Sequence, residues 1–229
     1  MNIESSLFYG TALTLVSYWI GVEIYKRTKL TLLHPVFTAV VLIVAFLYFT
    51  GIPVSVYTEA NLFIVYLLTP ATICLAIPIY KQFDLLRKHK WLITFSIMMG
   101  VFSSLMVVGG LALLFRFEPQ ILKSVISKSI TTGVAIGLTE EIGGYTSITT
   151  MAVIMTGIFG AMIAAHIFRI FKIDEPIAKG LAMGVSAHAI GTTKALEMGK
   201  IEGAMSSVAM VIAAVMTVAF VPLLLRLLL

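Results

Sequence analysis

Two short polar clusters in apolar surroundings hold the residues of this sequence best suited to chemistry. The segment 128–132 offers one ammonium group and three hydroxyls, and the segment 188–193 offers an imidazole, a glycine and two hydroxyls. Ammonium groups, hydroxyls and the free N–H groups of a helix end all bind anions. We therefore predict a site for a small carboxylate, formed by Lys128, Ser129, Thr131, Thr132, His188, Gly191, Thr192 and Thr193.

Each of these residues also has a purely structural explanation. A lysine near a helix end can extend its ammonium group to the membrane surface. A buried histidine is equally well explained by a hydrogen bond to a carbonyl, and threonines can bond back to their own helix. The presence of two similar clusters, rather than any single residue, favours a binding site.

Acidic residues follow both clusters. Glu140 and Glu141 follow the first, and Glu197 follows the second. A carboxylate at bilayer depth can carry a coupling proton, so we predict this role for Glu141 and Glu197. Two structural alternatives remain. Glu140, beside an acidic neighbour, can be a solvated loop residue, and Glu197 can form an ion pair with Lys194 on a helix.

Pro70 lies in the middle of an apolar run, two residues before Thr72. Because proline removes a backbone hydrogen bond, we predict a helix kink at Pro70 and Thr72. Prolines without a functional role are also tolerated in membrane helices. With a single cysteine and no paired histidines at helical spacing, the sequence predicts no metal site and no cofactor.

The composition is that of an integral membrane protein. Hydrophobic residues make up 59% of the 229 residues, and only 12% are charged, about half the roughly 25% of soluble proteins. Lipid can cover that much apolar surface, whereas a soluble core of this length cannot. The net charge of +5 comes from basic residues in short loops between apolar runs. This pattern indicates a bilayer partner, not a nucleic acid.

Six uncharged stretches approach or exceed the roughly 20 residues that a spanning helix requires. They are residues 5–22, 31–58, 61–80, 91–115, 142–168 and 203–225. The basic loops 26–29 and 81–90 predict a cytoplasmic location, and the loop 51–60, without lysine or arginine, predicts an outside location.

Two further stretches, 129–139 and 180–193, are too short to span and are rich in Gly, Ser and Thr. We predict interrupted helices there, with breaks near Thr131-Thr132 and Gly191-Thr192, that either cross or re-enter the membrane. Paired interruptions of this kind mark the binding sites of many transporters. The predicted fold is one all-α membrane domain, residues 1–229, with an inverted repeat and elevator-like movement.

An ordered set of motifs resembles the LrgB/CidB family over nearly the whole chain. The motifs are 70–72 (PAT), 75–81 (LAIPIYK), 128–132 (KSITT), 142–144 (IGG), 178–184 (AKGLAMG) and 186–197 (SAHAIGTTKALE). The resemblance implies a holin- or antiholin-like protein that acts with a smaller LrgA/CidA-type membrane partner. It also implies transport, because plant relatives move glycolate and glycerate and other bacterial relatives are linked to pyruvate.

Two functions follow from these patterns. The first is a proton-coupled carrier for monocarboxylates of the glycolate, glycerate, pyruvate or lactate class. The second is a holin- or antiholin-like pore or regulator of murein hydrolase export and cell lysis, which would not need the polar clusters. We expect no enzymatic activity, and we expect a homo-oligomer, a dimer, in the plasma membrane of a bacterium.

Overall fold

The computed structural model describes residues 8–28, 33, 35–74 and 76–228, and every regular element in these ranges is a helix. The chain divides into two compact units, Met1–Leu75 and Ala76–Leu229. That the two units act as one membrane domain stays a prediction.

The first unit contains four described helices. They are α1 (Tyr9–Thr28), α2 (Pro35–Thr50), α3 (Val54–Glu59) and α4 (Leu62–Cys74). Gly21 lets α1 approach the backbone of Pro35 in α2. The hydroxyl of Thr14 lies 2.7 Å from Tyr57 Oη and 2.9 Å from Asn61 Oδ1, so hydrogen bonds tie α1 to α3 and the residues that follow it.

The second unit contains eight helices within its described residues, 76–228. They are α5 (Ala76–Lys81), α6 (Phe83–Lys88), α7 (Lys90–Leu114), α8 (Pro119–Val125), α9 (Thr132–Ile142), α10 (Thr146–Ile170), α11 (Pro176–Met198) and α12 (Lys200–Leu228). Helices α11 and α12 pack tightly, because Gly180 and Gly184 lie directly against the backbone carbonyls of Glu202 and Ser206. Small residues four apart allow this close approach between membrane helices.

Three helices among the described residues are long and apolar enough to cross a membrane: α7, α10 and α12. They correspond to the predicted spans 91–115, 142–168 and 203–225. The full count of six spans is therefore not confirmed.

The other three predicted spans are divided or partly outside the described residues. Within 31–58, helix α2 has 16 residues, a length of about 24 Å against a hydrocarbon core of about 30 Å. It ends where Gly51 takes a left-handed conformation two residues before Pro53, and residues 31, 32 and 34 are not described. The stretch 61–80 falls on α4 and α5, with residue 75 between them not described, and 5–22 falls on α1, with residues 5–7 not described.

Candidate functional site

The first interruption, residues 126–131, separates α8 from α9. Helical backbone ends at Val125 and resumes at Thr132, next to the predicted break. Ile126 and Ile130 are buried in the hydrophobic core of the second unit, whereas Lys128 and Ser129 between them remain half-exposed. The two isoleucines thus anchor the non-helical backbone, and the polar pair between them stays accessible.

Buried hydroxyls fix the first interruption to its neighbours. Ser124, Ser127, Thr139 and Thr149 are completely buried. The Thr149 hydroxyl lies 2.8 Å from Ser124 O and 2.9 Å from Thr139 Oγ1, and Ser127 Oγ lies 3.3 Å from Thr139 Oγ1. Backbone freed from helical bonding survives in a membrane only with such partners, so α9 and α10 hold the interruption in place.

The second interruption is a single residue within α11. His188 has φ 40° and ψ −126°, and it divides α11 into two halves. Its Nε2 lies 3.0 Å from Val153 O of α10, so the ring N–H donates to that carbonyl. Gly157 leaves room for the ring, because a Cβ there would lie only 2.8 Å from His188 Cε1.

The predicted position of this second break, at Gly191-Thr192, is therefore displaced by several residues. Gly191 is helical and packs against the carbonyl of Met183 and the methyl of Ala187. Its missing side chain lets the second half of α11 approach the first, and it does not supply the unusual backbone angles. The Thr192 hydroxyl satisfies the carbonyl of His188, at 2.8 Å, and lies 2.9 Å from Ser206 Oγ of α12.

A cavity of about 700 Å³ opens within the second unit, inside the range of about 300–1,000 Å³ found for small-ligand sites. Its walls come from α7, α10, the first half of α11 and the first interruption. The lining residues are Ser96, Gly100, Ser103, Ser104, Lys128, Ser129, Thr156, Phe159, Gly160, Ile163, Ala178, Leu181, Ala182, Val185 and Ser186.

The polar groups of this cavity form a short chain. Lys128 Nζ lies 3.1 Å from Ser129 Oγ, and Ser129 Oγ lies 2.9 Å from Ser104 Oγ of α7. Among the described residues that line the cavity, Lys128 is the sole ionisable one, and none is a carboxylate. A cation beside hydroxyls in a mostly apolar wall suits a small organic anion.

The structure separates the predicted site residues into three groups. Lys128 and Ser129 line the cavity. His188, Gly191 and Thr192 are buried in helix packing. The remaining residues lie outside the lining: Thr131 and Thr132 at the start of α9, and Thr193, Glu141 and Glu197 on exposed positions.

Two of these residues make the structural contacts that the sequence left open as alternatives. The hydroxyl of Thr193 bonds to Ala189 O of its own helix at 3.2 Å. Glu197 pairs with Lys194 at 2.8 Å. Pro70 lies inside α4 in the first unit, and the side chain of Thr72 is outside the described set. The functional roles assigned to these residues from the sequence stay predictions.

Sequence reasoning missed the hydroxyls that other helices contribute to the cavity. Ser96, Gly100 and Ser103 recur at spacings of four and three residues, which places them on one face of α7. Ala178, Ala182 and Ser186 recur every four residues on α11 and leave the cavity open. The helical spacing of these small and polar residues within apolar runs is the sequence signal that could have identified this cavity wall.

Known proteins resemble this chain over nearly its whole length. The LrgB-like family matches residues 14–227. The antiholin-like protein LrgB of Bacillus subtilis (strain 168) is 38% identical over 228 residues, covering 99% of both chains. Proteins of the same name from Bacillus mycoides (strain KBAB4) and Bacillus cereus (strain B4264) are each 36% identical, covering 94% of both chains. These names describe no enzymatic activity, and no solved structure matches the chain.

Proposed function

We propose, starting from the fact that the chain belongs to the LrgB-like family, that it is a carrier of small monocarboxylates in the plasma membrane of a bacterium. The substrate class is that of glycolate, glycerate, pyruvate and lactate. The observation that carries this proposal is the cavity at the first interruption, whose described wall residues include one lysine, several hydroxyls and no carboxylate.

The cavity wall suits both ends of such a substrate. The Lys128 ammonium group would neutralise the carboxylate, and Ser129 and Ser104, already hydrogen-bonded to each other, would orient it. Phe159, Ile163 and other apolar lining residues would contact the carbon chain. With a single cation, the cavity favours one carboxylate over two, because a second would remain unpaired in apolar surroundings.

The bonding of the interruptions suggests how the substrate would move. Helix α10 is bonded through Thr149 to Ser124 at the end of α8, next to the first interruption, and through Val153 O to His188 at the second. We therefore expect both interrupted helices to move together as one body, as an elevator-like mechanism requires. Interruptions in two matching segments are typical of inverted-repeat transporters.

The second candidate function is that of an antiholin-like regulator of murein hydrolase export. The printed names of the relatives favour it, and they support it more directly than a carrier, because they mention no transport. In that function the polar cavity would be incidental. A smaller LrgA/CidA-type partner and a homodimer belong to this proposal as much as to the carrier.

Uptake into vesicles separates the two functions. The purified full-length chain is reconstituted into liposomes, and uptake of labelled glycolate, pyruvate and lactate is compared with succinate and with protein-free liposomes. A carrier predicts saturable uptake of monocarboxylates, about tenfold or more above succinate. Absence of uptake for all three acids, from protein shown to be folded, would leave the antiholin-like function as the better account.

A further inference from the structure

We infer that Lys128 is the group that couples transport to protons, taking up one proton together with each anion and releasing both together. The inference rests on the proposed carrier function and assigns the coupling to a residue of the binding cavity itself. It moves this role from the carboxylates predicted from the sequence, Glu141 and Glu197, neither of which lines the cavity.

Among the described residues, the cavity offers Lys128 no counter-ion. An ammonium group in apolar surroundings without a counter-ion is costly, and it loses much of that cost by releasing its proton. Lys128 forms no ion pair within the described part of the chain. When a carboxylate enters, it supplies the missing counter-ion and favours the protonated form, so anion and proton binding reinforce each other.

The hydrogen bonds of Lys128 suit both its protonated and its neutral form. Its partner Ser129 also lies 2.9 Å from Ser104 Oγ, and a hydroxyl can both donate and accept. With Lys128 protonated, Nζ donates to Ser129, which donates to Ser104. With Lys128 neutral, both hydroxyls rotate and the chain runs in the opposite direction. Both protonation states therefore keep their hydrogen bonds, which a fixed salt bridge would not permit.

Other titratable groups near Lys128 do not replace it. From α11, the ring of His188 is buried and bonded to Val153 O, and it is not among the described residues that line the cavity. Helices α7 and α10 add no titratable residue to the lining, and Glu197 is paired with Lys194.

The decisive variant is Lys128→Arg, because a guanidinium stays protonated while it can still pair with a carboxylate. The full-length protein in liposomes is assayed for exchange of labelled pyruvate without a pH gradient and for uptake driven by an inward proton gradient. In the unmodified protein the gradient should raise uptake about tenfold. Lys128→Arg should still exchange, with altered affinity, but the gradient should change its uptake by less than about twofold.

Three controls make the outcomes distinct. The first control, Lys123→Arg, changes another half-buried lysine outside the lining. The other two are Glu141→Gln and Glu197→Gln, and each of the three single variants should keep the response to the gradient. Gradient-driven uptake by Lys128→Arg, or loss of the response in either glutamine variant, would overturn the inference. An unmodified protein that does not exchange pyruvate at all would instead refute the proposed carrier function.

A second measurement decides the matter if Lys128→Arg fails to exchange. Pyruvate is added to the purified protein in weakly buffered detergent solution, and proton uptake is recorded. The unmodified protein should take up about one proton per anion bound, and Glu141→Gln and Glu197→Gln should do the same. Anion binding without proton uptake by the unmodified protein would contradict the inference.

Discussion

The two interruptions differ in what they present to the rest of the protein. At the first, residues 126–131 separate α8 from α9, and Lys128 and Ser129 of this segment line a cavity. At the second, a single residue, His188, departs from the helix, and its buried ring is bonded to Val153 O of α10. We therefore expect the first interruption to contribute the side chains that would bind a substrate, and the second to contribute to helix packing.

The largest effect should come from closing the space that the second interruption occupies. In Gly157→Ala, the new methyl would lie 2.8 Å from His188 Cε1, so the ring must leave its bond to Val153. Overpacking of this kind costs about 1–3 kcal/mol. Thermal unfolding in detergent should show the loss, whereas Gly110→Ala in α7, with nothing within 4 Å of its methyl, should unfold near the unmodified temperature. If Gly157→Ala unfolded at the same temperature as the unmodified protein, the position of the His188 ring would not be fixed by this packing.

A smaller effect should follow from loosening the first interruption. Thr149→Val removes the hydroxyl that contacts Ser124 O and Thr139 Oγ1, at a cost of about 1 kcal/mol in a membrane protein. The matched variant is Thr150→Val, whose hydroxyl bonds only to Thr146 O of its own helix. Equal unfolding temperatures for the two variants would show that the buried hydroxyls do not hold the interruption.

The smallest effect should come from the exposed end of the second polar cluster. Thr193→Val removes a hydroxyl that is exposed and bonds to its own helix, so stability should change by less than about 0.5 kcal/mol. Transport should also stay unchanged, since Thr193 does not line the cavity. Strongly reduced uptake by Thr193→Val would indicate that the second polar cluster also takes part in binding. The two interruptions would then not differ in function as proposed.

The sequence predicted the membrane class and the existence of both interruptions, because long uncharged runs and short glycine-rich segments are local signals. It misplaced the second break, since Gly191 is needed for packing against Met183, while the unusual backbone angles belong to His188, held by a bond to Val153. Such a bond joins residues far apart in the chain and leaves no local pattern. The same reason explains Ser104, which meets Ser129 only after α7 has packed beside the first interruption.

Charge-free length is not the same as helix length in the predicted span 31–58. The run 31–58 contains Gly51 and Pro53, which end α2 after 16 residues. Proline fixes the backbone and removes a donor, so an uncharged run that contains it need not be one helix. A search for turn residues inside apolar runs would have divided this stretch.

The proposed carrier function depends most directly on whether Lys128 binds the carboxylate. Equilibrium binding of labelled pyruvate to the purified full-length protein should be saturable and should be displaced by glycolate and lactate. Lys128→Ala should weaken this binding about tenfold or more, a loss of about 1.4 kcal/mol, whereas Lys123→Ala, outside the cavity lining, should bind as the unmodified protein does. Equal binding by folded Lys128→Ala and unmodified protein would contradict the assignment of the cavity as an anion site.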